Sequence, residues 1–182
     1  MARVPYLRRE DAAPGADAVW QRVEAERKLP TGNIFRALAH APALLDAFLS
    51  YANALRDESE LDPRLRELAI LAVGYATGSE YEIAHHQSHA TKAGVTPRQL
   101  AEIADFENSD AFGPAELAVM RLARESTLQV DVSEQRWGEA SAHLGPPLVG
   151  DVSLQRGLPG QSHDGKLGGA ERVRVLKVRD LG

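Results

Sequence analysis

Two consecutive stretches decide the fold: Asp62-Pro-Arg-Leu-Arg-Glu-Leu-Ala-Ile-Leu-Ala-Val-Gly-Tyr-Ala-Thr-Gly78 and Ser79-Glu-Tyr-Glu-Ile-Ala-His-His-Gln-Ser-His-Ala-Thr-Lys-Ala-Gly94. Asp62 is a natural N-cap, and Pro63 fits the first helical position because its missing N–H would be unpaired there anyway. Leu65, Leu68, Ala69, Ala72 and Tyr75 then recur at the helical period. Ile70, Leu71 and Val73 make the same helix apolar nearly all round, as in a helix that is central or faces another subunit. Gly78 breaks the helix and Gly94 supplies the C-cap of the next one. The reading is a helix pair, 63–77 and 79–93.

Helix punctuation continues outward from this pair. Asp17 is expected to cap a helix running to about Lys28, closed by Leu29-Pro-Thr-Gly32. Asn33 opens another, through Ile34, Leu38 and Ala39. Pro42 starts a third, with Leu44, Leu45, Phe48, Leu49, Ala52 and Leu55 on the helical period. Thr96-Pro97, Gly113-Pro114 and Ser133-Glu134 mark three more starts, the second with Leu117, Met120, Leu122 and Ala123 inward. No run before residue 148 alternates with a strand's period of two. The expected fold class is all-α: one helical domain over 1–148, with an irregular arm over 1–15 broken by Pro5, Pro14 and Gly15. Residues 149–182 change character. Gly157, Gly160, Gly165, Gly168 and Gly169 recur among polar residues, and only Arg172–Val178 alternates. A disordered or loosely docked tail is expected there.

Composition narrows the function classes. A net charge of −5 gives no electrostatic case for binding nucleic acid or an anionic membrane. Zero cysteines exclude disulfides, thiol catalysis and thiolate metal sites. Nothing near the N-terminus reads as a secretion signal, and no apolar run is long enough to span a bilayer, so a cytoplasmic protein is expected.

Half of the six histidines fall between Gly78 and Gly94. Glu82 and His86 are four apart, His85 and His89 four apart, and His86 and His89 three apart, which places all four on one broad helix face. Glu67 joins them if the two helices fold back at Gly78. It lies 11 residues before that glycine and His86 lies 8 after it, so at a rise of about 1.5 Å per residue their heights differ by only about 4–5 Å. A carboxylate that orients an imidazole and stabilises its cation is the minimal apparatus for acid–base work. Plainer readings stand beside it: Glu82–His86 as a surface pair, His85 and His89 as solvated or at a subunit contact, and Glu67 answering the helix dipole. His85 and His89 also have the spacing that puts two imidazoles on one metal ion. However, no glutamate follows the first histidine as in a metalloprotease helix, and no metal is expected.

The run from Leu65 to His86, the following Ala90-x-x-Ala-Gly-Val-Thr-Pro97 and the earlier Phe35-Arg-Ala-Leu-Ala-His-Ala-Pro42 together resemble the carboxymuconolactone decarboxylase family, which includes the AhpD-like proteins. The resemblance runs from about Asn33 to Leu144. It implies an AhpD-like helical bundle, assembled as a trimer or hexamer, with Glu67 and His86 at the positions of the family's motif glutamate and histidine. The AhpD-like branch has cysteines where this chain has Ser79 and Glu82, and its peroxidase chemistry needs both thiols. That activity is therefore not expected. The decarboxylase branch needs no thiol. It implies a cofactor-free lyase acting on a small carboxylated lactone or related organic acid, with Glu67, Glu82 and His86 catalytic. Arg64, Arg66, His85, His89 and Lys92 are the candidates for holding substrate. A non-catalytic oligomer that binds a small ligand is the other reading. Relatives continue past Leu144 with a further helix, and here the Gly/Arg-rich tail departs from that pattern.

Overall fold

The computed structural model describes residues 4–27, 32–145, 148, 149 and 152. Among them are eight α-helices and no strand: α1 (Asp17–Arg27), α2 (Asn33–Leu38), α3 (Pro42–Asn53), α4 (Pro63–Thr77), α5 (Glu80–Lys92), α6 (Pro97–Glu102), α7 (Pro114–Gln129) and α8 (Glu134–Leu144). The all-α expectation holds. The chain gathers into two compact units that divide between Glu58 and Ser59.

The first unit contains α1 to α3. Trp20 and Val23 of α1, Phe35 of α2, and Leu45 and Leu49 of α3 form its buried core. Phe35 meets Phe48 edge-on at 5.8 Å, the arrangement that ring quadrupoles favour. The arm is irregular apart from one 3-10 turn at Arg9–Asp11, and it is tied to α2 where Arg36 donates to the Leu7 carbonyl. Two expectations are corrected. Asp17 is the first helical residue of α1, not its cap. Leu44 points to solvent, so α3 buries the Leu45/Leu49 stripe and ends at Asn53 in a π-helical turn, Ala54–Glu58.

The second unit is built around α4, which packs on both α5 and α7, while α7 carries α8. The caps behave as their chemistry requires. The Asp62 carboxylate accepts from the Arg64 N–H at 2.7 Å. Thr96 and Gln99 form a reciprocal capping box at α6, and Ser133 accepts from the Arg136 N–H at α8. Leu68, Ala69, Leu71 and Ala72 of α4 are buried with Val119, Met120, Leu122 and Ala123 of α7. Each fully buried large aliphatic side chain contributes roughly 1.5–3 kcal/mol. Val149 and Val152 join this core, so packing extends past residue 148. The rest of the expected tail, with its alternating segment, lies outside the described residues. No helix among the described residues is long and apolar enough to cross a membrane.

Two glycines set the α4–α5 pair. At Gly74 a Cβ would stand 3.1 Å from the Ile83 side chain and 3.6 Å from the Glu82 Cβ, so the missing side chain lets the helices approach closely. Gly78 is left-handed (φ 65°), and the Ser79 N–H closes back onto the Gly74 carbonyl at 2.9 Å, which reverses the chain within one turn. A Cβ at Gly78 would meet nothing within 4 Å. Gly78→Ala should therefore show the backbone penalty alone, a loss of about 1 kcal/mol in denaturant melts.

Candidate active site

The reversal at Gly78 brings α4 and α5 together antiparallel, and the register estimated from helical rise is realised. His86 Nδ1 donates to Glu67 Oε2 at 2.7 Å. The donor is assigned from chemistry, because an ionised carboxylate only accepts. Glu67 is a buried charged residue in the middle of α4, its side chain 5% exposed, and His86 is 14% exposed. The other Glu67 oxygen faces the Arg66 guanidinium at 3.7 Å, and Arg66 is itself 12% exposed. Burial alone would raise the Glu67 pKa. The hydrogen bond from His86 and the charges of His86, Arg66 and His89 outweigh it, and the carboxyl is held below its ordinary value of 4.5.

On the ring's other side, His86 Nε2 lies 3.5 Å from Glu82 Oε2, an electrostatic rather than a hydrogen-bonded separation. The Glu82 side chain is 46% exposed. His86 thus stands between a buried carboxylate and one in contact with water. His85 and His89 flank it, with ring centroids at 5.1 and 5.7 Å. Tyr81 stacks parallel on His85 at 5.9 Å. Glu80 and Glu82 occupy the first turn of α5 and His89 and Lys92 the last, both favourable against the helix dipole.

Of the residues expected from sequence, Glu67, Glu82, His86, His85, His89 and Arg66 are therefore brought together. Arg64 is not. Its guanidinium is held by Glu116, by Gln99 at 2.8 Å and by the Gly94 carbonyl, and it locks α4 to α6 and α7. Lys92 is exposed at the end of α5. Tyr81 was not foreseen, although its spacing of four to His85 was available in the sequence. Among the described residues no three His, Asp or Glu side chains are placed to share a metal ion.

The lowered Glu67 pKa fixes the sign of a pH effect. A carboxyl whose native pKa lies below its unfolded value adds stability that is fully present above the unfolded value. That stability is lost as pH falls through the native one. Glu67→Gln should accordingly flatten the fall in stability below about pH 4.5 seen in the parent chain, as read by urea midpoints across the acid range.

A cysteine-free helical bundle with a buried glutamate–histidine pair at a helix reversal defines the class. Residues 42–125 match the model of the carboxymuconolactone decarboxylase family. That segment of this cysteine-free chain is similar to the family. The fold is also that of a solved structure of the debrominase Bmp8, a cysteine-to-alanine variant in complex with 2,3,4-tribromopyrrole. The two share 18% sequence identity at a TM-score of 0.67, over 85% of this chain and 84% of that one. A comparison with curated proteins finds no match.

Proposed function

We propose that the chain is a thiol-independent, cofactor-free acid–base enzyme, of carboxy-lyase type, acting on a small carboxylated lactone or related organic acid. The observation that carries this reading is the 2.7 Å contact between His86 Nδ1 and a buried, ionised Glu67, which leaves Nε2 turned toward the exposed Glu82. When the substrate's C–COO⁻ bond breaks, carbon dioxide departs and the electron pair is taken up by a conjugated carbonyl. The resulting carbanion equivalent must be protonated at carbon. A His86 imidazolium supplies that proton from Nε2, and Glu67 holds the ring through Nδ1 and stabilises the cation that forms again. Glu82, in contact with water, returns the proton to Nε2. Arg66, with His85 and His89, supplies positive charge for the substrate carboxylate. In this reading the protein works as a homo-oligomer, a trimer or hexamer, which sedimentation velocity tests.

The decisive experiment follows carbon dioxide release from a panel of carboxylated lactones across pH, with the parent chain and His86→Ala. Turnover that depends on His86 supports the reading. If the parent chain binds these acids without turning any over, the protein is a small-ligand binder, and the lyase reading fails. Activity that disappears on chelation, with stoichiometric metal in the purified protein, would overturn the cofactor-free part.

A further inference from the structure

The outward face of α5 carries two aromatic rings beside the acid–base pair. Tyr81 is 46% exposed, and His85, one turn further on, is exposed as well. Their rings are parallel to within 3°, with centroids 5.9 Å apart, so they turn their faces in one direction and form a flat surface open to solvent. The neighbours on that face, Ala84 and Ser88, are exposed and small, and they leave the rings accessible. His89 stands 5.1 Å from His85 but is tilted by 60°, so the flat part is two rings long. A single exposed aromatic side chain is ordinary on a protein surface. What sets this pair apart is its orientation toward His86.

His85 meets His86 with ring planes at 83° and centroids 5.1 Å apart. A flat ring stacked on Tyr81 and His85 therefore lies close to perpendicular to the His86 imidazole. Imidazole N–H bonds lie in the plane of their own ring, so a donor at right angles to a ligand can address the ligand's face. Protonation at carbon needs that direction. When the C–COO⁻ bond breaks, its electron pair enters the π system, whose lobes stand above and below the substrate plane. The new C–H bond forms along such a lobe as His86 Nε2 gives up its proton. A puckered, saturated ring has no π face to stack and cannot lie flat on the two side chains. When His85 is protonated, its charge also attracts a π face.

We propose that Tyr81, together with His85, determines specificity: the two rings form the wall on which the flat, unsaturated ring of the substrate stacks, and they select it over a saturated ring of the same charge. This deepens the acid–base reading of Glu67 and His86 and rests on it for taking the stacked ring to be a substrate. The stacking surface itself is set by Tyr81 and His85.

The test compares benzoate with cyclohexanecarboxylate, flat and puckered rings bearing the same carboxylate, by calorimetry on the full chain in carboxylate-free buffer. The parent chain should bind benzoate about fivefold more tightly, the scale of one aromatic stacking contact. Tyr81→Leu should bind the two acids equally. Tyr81→Phe, which keeps the ring and loses only the hydroxyl, should restore the preference. Both variants should melt with the parent, because the side chain they change is exposed. The proposal is overturned if the parent does not prefer benzoate, or if the preference survives in Tyr81→Leu. It is also overturned if lactones are turned over with a KM that Tyr81→Leu leaves unchanged, and the lyase reading then stands without the wall. A Tyr81-dependent preference in a chain that turns over no lactone supports the wall and sinks the lyase reading instead.

Discussion

A His86→Ala chain is expected to lose about 3 kcal/mol of stability at neutral pH and, on the acid–base reading, to turn over about 10²–10⁴-fold more slowly. The stability loss follows from what the substitution leaves behind. Glu67 remains on the buried face of α4, its side chain 5% exposed, without the donor 2.7 Å away that now satisfies it. Arg66 at 3.7 Å compensates only in part, which places the expected cost at the lower end of the range for breaking a buried pair. The pH dependence should change sign. In the parent chain the lowered Glu67 pKa makes acid destabilising. In the variant, burial acts on Glu67 against a weaker set of stabilising partners, its pKa rises, and protonation relieves the strain. The penalty measured at about pH 7 should thus shrink at about pH 5. Adding Glu67→Gln should recover about 1–2 kcal/mol, because an unmet amide costs less to bury than an unmet charge. A penalty that stays constant with pH, or grows on acidification, would show that Glu67 is not carrying the buried charge.

The cluster was legible in sequence to a degree that its physics explains. Asp62-Pro63, Thr96-Pro97 and Ser133 fixed three helix starts, because a capping side chain acts within three residues of itself. Gly78 fixed the reversal, and helical rise alone then brought Glu67 level with His86. What was missed depends on contacts distant in sequence. Arg64 was expected to face substrate, yet its partner Glu116 lies 52 residues away and nothing local marks it. Leu44 and Leu45 are indistinguishable by composition, and only the packing of α3 against the rest of its unit decides that Leu45 is buried.

The second large effect is a gain of activity. If the family resemblance is followed residue by residue, Ser79 and Glu82 fall where the AhpD-like branch has cysteine, and the Ser79→Cys/Glu82→Cys chain is expected to reduce organic hydroperoxides where the parent chain does not. Ser79 is the N-cap of α5 and Glu82 lies in its first turn, so both new thiols would sit at the positive end of a helix. Such a position, with His86 Nε2 beside residue 82, can lower a thiol pKa from about 8.5 to about 7, raising the thiolate at neutral pH from a few per cent to about half. The thiolate attacks one peroxide oxygen and becomes a sulfenic acid, and the alkoxide leaves with a proton. The second thiol then displaces water to form a disulfide, which added dithiothreitol reduces. Residues three apart in a helix have Cα atoms about 5 Å apart, within the range a disulfide spans. Glu82→Cys alone should react once with peroxide and then turn over slowly, since it has no resolving thiol. The measurement is dithiothreitol-dependent consumption of cumene hydroperoxide by the parent, single and double variants. His86→Ala in the double background should lower the rate by withdrawing the base. A folded double variant with two titratable thiols and no peroxide reduction would show that more than the missing sulfur separates this chain from the thiol-bearing AhpD-like proteins.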